Sequence, residues 1–235
     1  MTKKRVWELD AVRGICILGM IVVHLFYDLT AIGGKSLDLP GWFHLIRQYG
    51  HILFVLISGI CATLSGNSPL KRGLVVFASG LLVTYVTMFM EQLFGFKDLH
   101  VWFGILHMIG LCMILYTLFR KLPFWALALF GAAFLALGFW MQTRTVSVDY
   151  LFPLGLRSAN FYVGSDYFAL FPGFGWFLIG AAIGKTAYRR KESLLPKVNA
   201  DFFLLRGLRF VGRYSLWFYL LHQPVLFAIV FLFVL

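Results

Sequence analysis

The sequence predicts an all-α membrane protein, a polytopic bundle of about seven transmembrane helices. Hydrophobic residues make up 60% of the 235 positions, charged residues only 13%, and the mean hydropathy is +0.83. A soluble domain carries roughly twice that share of charge. Several apolar runs reach the roughly 20 residues that a helix needs to cross the hydrocarbon core of a bilayer. We therefore expect a single integral membrane domain over residues 1–235, surrounded by lipid.

Turn-forming and polar segments divide the apolar runs into seven predicted spans. In chain order they cover residues 11–29, 48–64, 73–93, 101–119, 124–141, 167–184 and 214–235. A Ser-Gly-Asn-Ser-Pro cluster at 65–69 predicts a turn after the second span. Before that span, Trp42, Phe43 and Leu45 are expected to enter the membrane interface from a loop. The basic segment 185–213 is expected to lie on the anionic inner leaflet.

The loops alternate between many and few cationic residues, and this bias predicts the orientation of the chain. With the N-terminus in the cytoplasm, sixteen lysines and arginines fall on the cytoplasmic side or at its boundary: Lys3, Lys4, Arg5, Arg13, Lys71, Arg72, Arg120, Lys121, Lys185, Arg189, Arg190, Lys191, Lys197, Arg206, Arg209 and Arg213. Five fall outside: Lys35, Arg47, Lys97, Arg144 and Arg157. We therefore expect the N-terminus in the cytoplasm and the C-terminus outside.

Charge, cysteines and motifs exclude several function classes. The formal charge of +11 follows from the orientation signals, so no nucleic-acid partner is expected. Cys16, Cys61 and Cys112 lie in apolar runs, where cysteine acts as a small packing residue, and no Cys/His spacing predicts a metal site. The sequence has no GxGxxG, P-loop or GxSxG motif, so nucleotide hydrolysis and serine-hydrolase chemistry have no support.

The first span carries a stripe of ionisable side chains. Arg13 and His24 are eleven residues apart, which at about 100° per residue returns them to nearly the same face, roughly 16 Å apart along the axis. Asp10 lies one turn before Arg13, and Asp28 one turn after His24. Charge inside a bilayer is costly unless it faces protein or water, so the stripe should line a cavity. The alternative is that Asp10 and Arg13 only mark the interfacial helix end and that His24 satisfies a neighbouring group.

His24 is the leading catalytic candidate, because a neutral imidazole with a carboxylate one turn away can act as a general base. Asp28 at position i+4 would orient the imidazole or stabilise the imidazolium. Arg47, at the outer start of the second span, would clamp an anionic or polar substrate or pair with Asp28. The alternative for Arg47 is an ordinary interfacial arginine.

Two further groups of small or polar residues lie within the spans. Ser58 and Gly59 fall in the middle of the second span, either for close helix packing or to let a cofactor chain pass. Glu91, near the end of the third span, and His107, in the fourth, predict a second polar group on the outer side.

The last two predicted spans also contain polar signals. Asp166 opens the sixth span, in which Pro172 either kinks the helix or delays its start. His222, Gln223 and Pro224 follow one another near the middle of the last span. A polar pair before a helix-breaking proline often lines a cavity, and a local backbone partner for the polar groups is equally plausible.

These residues resemble a known family of membrane enzymes. The run from Leu9-Asp10 to Arg13-Gly14, followed by His24, resembles the opening of the transmembrane acyltransferase superfamily, and residues 54–59 resemble its Phe-x-x-x-Ser-Gly signature. Three further stretches resemble the heparan-alpha-glucosaminide N-acetyltransferase catalytic-domain family and its bacterial relatives: residues 103–107, 166–180 and 212–224. The chain is shorter than the human-type member, and we expect it to lack that member's lumenal domain.

The resemblance implies an O- or N-acyltransferase of a bacterial inner membrane. It would move an acetyl or other acyl group from acyl-CoA, used as co-substrate from the cytoplasm, to a sugar or glycan acceptor outside. The implied acyl-CoA site comprises Asp10, Arg13, Ser58 and Gly59. The implied acceptor site comprises Glu91, His107, Asp166 and His222.

The family resemblance leaves two alternative candidates for the catalytic histidine. In the human-type branch the catalytic histidine lies in the outer loop after the first span, which makes His44 its counterpart here. In the wider superfamily the first-span histidine is the functional one, which matches His24. We favour His24 because it belongs to the stripe with Arg13 and Asp28.

Two other functions fit parts of the pattern. A proton-coupled transporter or flippase would use Asp28, Glu91 and the histidines as a relay. A membrane haem protein would use His24, His107 or His222 as axial ligands. The oligomeric state is left open, with a homo-oligomer as one alternative.

Overall fold

The computed structural model describes residues 5–31, 33–34, 38–66, 68–95, 99–162 and 166–233. Within these ranges the chain forms eight α-helices and one 3₁₀ turn. The helices are α1 (Trp7–Ala31), α2 (Gly41–Leu64), α3 (Pro69–Phe94), α4 (Ile105–Phe119), α5 (Phe124–Gln142), α6 (Leu170–Thr186), α7 (Phe203–Arg213) and α8 (Ser215–Phe233), and the 3₁₀ turn is Phe152–Leu154. Some residues of the predicted charge bias, turn and last span lie outside the described ranges: Lys3, Lys4, Lys35, Asn67, Lys97 and Leu235.

Five of the helices are long and apolar enough to cross a membrane, namely α1, α2, α3, α5 and α8. The apolar helix α4 is shorter, with 15 residues, and α6 has 17. The prediction of an all-α protein with membrane-spanning helices is therefore confirmed for the described ranges. The count of seven spans and the orientation of the termini stay predictions.

Helix α2 begins at Gly41, seven residues before the predicted start of the second span. Trp42, Phe43 and Leu45 are helical, so the prediction of a loop at these residues is wrong, and their place at the membrane interface stays a prediction. The reason is a tertiary contact: the Phe43 ring is buried and lies edge-on to the Phe26 ring of α1, with 5.2 Å between ring centroids. Packing against α1 thus favours helix in a segment that the local polarity pattern assigned to a loop.

Helix α7 is absent from the predicted spans, because its arginines interrupt the apolar run. It packs on α1 at two glycines. A methyl group added at Gly14 would strike the carbonyl oxygen of Leu208, and one added at Gly212 would strike that of Asp10. Because glycine has no side chain, the two backbones come into direct contact.

Helix α6 contains the interruption that Pro172 predicts. Phe171 has extended torsion angles, φ −107° and ψ 123°, so the regular helix begins after it. The interruption packs closely on α5, since a methyl group at Gly138 would lie 2.5 Å from the Pro172 nitrogen.

The chain divides into two compact units, Met1–Phe54 with Arg190–Leu235 and Val55–Arg189. In the first unit α1 packs against both α7 and α8. In the second unit α3 packs on α4, α5 on α6, and α4 on α6. The single domain expected from the sequence stays a prediction.

Candidate active site

The ionisable stripe of α1 faces the protein interior of the first unit. The Asp10 and Arg13 side chains are about one-sixth exposed, and Asp28 is fully buried. Three exposed residues of the same helix, Ile15, Leu18 and Val22, are apolar and lie on another face. Charge thus points inward and hydrocarbon outward, as expected for a helix whose polar face is shielded from lipid.

At the N-terminal end of the stripe, Asp10 is paired with cations. Arg13 Nη1 donates to Asp10 Oδ1 over 3.4 Å and to the Gly212 carbonyl oxygen of α7 over 3.4 Å. Arg5 approaches the other Asp10 oxygen at 3.7 Å. The absence of a side chain at Gly212 lets α7 come close enough to offer its carbonyl group. Arg13 therefore joins α1 to α7.

At the other end of the stripe, Asp28 is paired with a neutral amide. Gln223 Nε2 of α8 donates to both carboxyl oxygens of Asp28, each over 3.0 Å. The amide oxygen of Gln223, Oε1, is buried and has no hydrogen-bond partner among the described residues. A buried acceptor without a donor carries a desolvation cost.

Two histidines lie beside this pair. The rings of His24 and His222 are edge-on, with 4.9 Å between centroids. His222 Nδ1 is hydrogen-bonded to the Tyr219 carbonyl oxygen, and because a carbonyl can only accept, Nδ1 must carry the proton. His24 makes no hydrogen bond within the described part of the chain, and its side chain is half-buried. The His24 ring is therefore not held by a structural bond.

Asp28 does not hydrogen-bond His24 in the described residues, although the i,i+4 spacing favoured that contact. Both Asp28 oxygens accept from Gln223 instead. The predicted pairing of Arg47 with Asp28 is likewise not found there, and Arg47 is exposed on α2. His44 is also exposed, with its ring edge-on to that of Phe43 at 6.2 Å.

In the second unit, Glu91 closes the connection between α3 and α4. Its carboxylate accepts from the backbone nitrogen of Leu99 over 2.6 Å and from His100 through both the backbone nitrogen and Nδ1. Three donors from two neighbouring residues give Glu91 a structural role at this turn. Its predicted role in binding the acceptor remains a prediction.

His107 is buried and caps the start of α4. The Gly104 backbone N–H donates to Nδ1 over 3.2 Å, so the ring proton lies on Nε2, which faces Thr84 Oγ1 at 3.4 Å. The Thr84 hydroxyl donates its own hydrogen bond to the Val101 carbonyl oxygen over 2.6 Å. Both ring nitrogens of His107 are thus used within the protein. The capping bond also explains why α4 begins at Ile105, four residues after the predicted start.

Ser58 and Gly59 lie where α2 meets α6 in the second unit. A methyl group at Gly59 would strike the Phe177 carbonyl oxygen, and one at Gly180 would strike that of Leu56. Helix packing, one of the two alternatives, therefore accounts for Gly59. Ser58 is buried in the same region.

Asp166 lies beside the start of α4. One of its oxygens would be 3.0 Å from a methyl group at Gly104. The predicted acceptor residues Glu91, His107 and Asp166 thus all lie around the segment that leads into α4, whereas His222 lies beside His24 in the first unit.

Sequence reasoning left Gln223 and Gly212 out of the predicted site. Gln223 was visible only as a neighbour of His222 before a proline, and nothing local connects it to Asp28, 195 positions away. Gly212 contributes a backbone carbonyl, which no side-chain pattern reveals.

The fold and this cluster define a helical membrane protein with histidine and carboxylate groups inside one of its spanning helices. A family model described as "Heparan-alpha-glucosaminide N-acetyltransferase, catalytic" matches residues 5–224. The chain therefore belongs to this family, and membership indicates a membrane acetyltransferase. The family is acetyl-CoA-dependent in general. No curated protein and no solved structure matches the chain.

Proposed function

We propose that the protein transfers an acetyl or other short acyl group from acyl-CoA in the cytoplasm to a sugar or glycan acceptor on the outer side. The observation that carries the proposal is His24, an imidazole inside a spanning helix with no hydrogen bond among the described residues. A histidine held for structure has its nitrogens bonded, as His107 does. A base needs a nitrogen that can reach the substrate.

The N-terminal end of the stripe suits the polyanionic coenzyme. Arg13 is held in position by Asp10 and Gly212, and a guanidinium is a planar, permanently charged group whose geometry matches a phosphate. Arg5, Arg206 and Arg213 of the same unit are exposed and add positive charge. In the proposal these residues hold the phosphates, and the acyl end extends toward His24.

His24 acts as the general base in this proposal. It takes the proton from the acceptor hydroxyl or amine while that oxygen or nitrogen attacks the thioester carbonyl carbon. It then returns the proton to the coenzyme sulfur as the carbon–sulfur bond breaks, which balances the reaction. In the alternative route, a His24 ring nitrogen attacks the thioester carbonyl carbon and displaces the coenzyme thiolate. The acceptor then attacks the acyl-imidazole and displaces the imidazole, and the proton of the acceptor goes to the thiolate.

Asp28 supports the imidazolium through its charge rather than through a hydrogen bond. Residues at i and i+4 of a helix lie roughly 5–6 Å apart at their Cβ atoms. In low-dielectric surroundings a carboxylate at that distance stabilises a developing positive charge.

An acetyl-transfer assay in liposomes tests the proposal directly. Purified protein is reconstituted into liposomes that enclose D-glucosamine, and acetyl-labelled acetyl-CoA, which does not cross the bilayer, is added outside. We expect labelled acetylated glucosamine inside the vesicles, and none in protein-free vesicles. If the protein neither binds acetyl-CoA nor transfers label but moves a solute, the transporter alternative replaces the proposal.

The sidedness of the proposal has its own test. A reporter enzyme fused after residue 235 should be active only outside the cytoplasm, because the cationic bias places the C-terminus there. Reporter activity in the cytoplasm would show that one span is miscounted and would reverse the direction of transfer relative to the C-terminus.

A further inference from the structure

The contact between Gln223 and Asp28 has features that helix packing alone does not require. Of the polar side-chain atoms of Gln223, only Nε2 is hydrogen-bonded among the described residues, and it bonds only to Asp28. The orientation of the amide is therefore set by the carboxylate. The buried Oε1 atom is left without a donor, which a packing contact between two apolar side chains would avoid.

The chemistry of the partner determines what Asp28 can do. An arginine or lysine at position 223 would neutralise the carboxylate in an ion pair, as Arg13 does for Asp10. An amide satisfies both carboxyl oxygens without adding charge. When Asp28 is ionised, both of its oxygens can accept from this one amide, and its negative charge stays available to neighbouring groups.

The neighbouring groups are the two histidines. His24 lies one turn before Asp28 on α1, and His222 precedes Gln223 on α8. Because the His24 and His222 rings are in contact at 4.9 Å, the amide, the carboxylate and both imidazoles form one cluster.

We propose that Gln223 is a positioning residue, which holds Asp28 as an uncompensated carboxylate beside His24 so that its charge stabilises the protonated base. This inference rests on the proposed function, because it assigns Gln223 a task in the same proton transfer. It adds a residue of α8 and a reason why that residue is a neutral amide.

A double-mutant cycle tests the contact itself, independently of activity. Gln223→Glu places two carboxylates side by side, and their repulsion should lower the melting temperature by on the order of 10 °C at neutral pH. Acidification should recover this loss, because the pair can then share one proton. The exchanged variant Asp28→Asn/Gln223→Glu restores one amide and one carboxylate, and its melting temperature should return to near that of the wild type.

The activity of the exchanged variant tests the positioning role. Its carboxylate is on α8 instead of α1, so we expect kcat to stay about tenfold or more below wild type while the KM for acetyl-CoA is nearly unchanged. The control is Gln92→Glu, the same exchange at an exposed glutamine of α3, which should change neither quantity.

Each outcome is decisive. If the exchanged variant regains kcat together with thermal stability, the pair is only a clamp between α1 and α8, and the positioning role is overturned. If Gln223→Glu does not lower the melting temperature, the two side chains do not meet. If the wild type transfers no acyl group, the proposed function fails and the positioning role fails with it, while the thermal cycle still reports the contact separately.

Discussion

Asp10 and Asp28 lie on one face of α1, about 27 Å apart along the helix axis, and their partners differ in charge. Asp10 contacts two arginines, Arg13 at 3.4 Å and Arg5 at 3.7 Å. The Asp28 carboxyl group is hydrogen-bonded only to the Gln223 amide among the described residues, and it is the more deeply buried of the two carboxyl groups. The more buried carboxylate therefore has the partner without charge.

In the proposed mechanism, this difference separates a binding end of the helix from a chemical end. Where Asp10 is neutralised by arginine, its main effect is to hold the guanidinium that would face the coenzyme phosphates. Where Asp28 has only an amide, its charge is not compensated and can act on the His24 ring. In this proposal the same residue type serves two tasks, because α7 and α8 place different groups against it.

The largest effect is expected at the chemical end. His24→Ala should abolish transfer, with a loss of about 10²–10⁴-fold or more, because general-base assistance contributes that much. Acetyl-CoA binding should stay nearly intact, as measured by calorimetry on the detergent-solubilised protein. An acyl-histidine route would add the mass of the acyl group to the peptide containing His24 after single turnover, and direct transfer would leave that mass unchanged.

His44→Ala serves as the comparison for this experiment. His44 lies exposed on α2, and its ring lies edge-on to that of Phe43. If His44→Ala loses transfer while His24→Ala keeps near-normal turnover, the catalytic assignment moves to His44. Activity in both variants would end the mechanism proposed for this protein.

The stripe of α1 could be predicted from sequence because helical periodicity alone places residues on one face. Asp10, Arg13 and Asp28 all face inward, as their spacing indicates. The helix bounds were also close for α5, predicted as 124–141 and found as Phe124–Gln142. Such features depend on residues near one another in the chain.

The partners of the stripe could not be predicted in the same way. Gln223 is 195 positions from Asp28, and Gly212 is 199 positions from Arg13. The capping role of His107 depends on a backbone N–H whose direction follows from the extended Gly104. Which side chains meet is decided by packing between distant helices, and no local pattern encodes it.

The next largest effect is expected when the charge of Asp28 or of Asp10 is removed. Asp28→Asn should lower kcat by about tenfold or more and leave the KM for acetyl-CoA within about twofold, because it keeps the side-chain shape and removes the charge near His24. Asp10→Asn should raise that KM and change kcat less, because Arg13 loses the partner that holds it. Steady-state kinetics in nanodiscs measure both parameters, and equal effects of the two variants on kcat would contradict the division between the two ends.

The smallest effects are expected at the binding end, where Arg13 and Arg5 both approach Asp10. Arg13→Ala should weaken acetyl-CoA binding by about tenfold, which corresponds to the loss of one charge-assisted hydrogen bond. Arg13→Lys should recover part of the lost affinity, because an ammonium keeps the positive charge but lacks the planar guanidinium that binds a phosphate through two nitrogens. Arg5→Ala should change the affinity by about twofold or less, because its side chain is 60% exposed and screened by water. Calorimetric titration with acetyl-CoA measures all three. If Arg5→Ala weakens binding as much as Arg13→Ala does, the coenzyme is held at the exposed surface, and the inward-facing arginine of the stripe only ties α1 to α7.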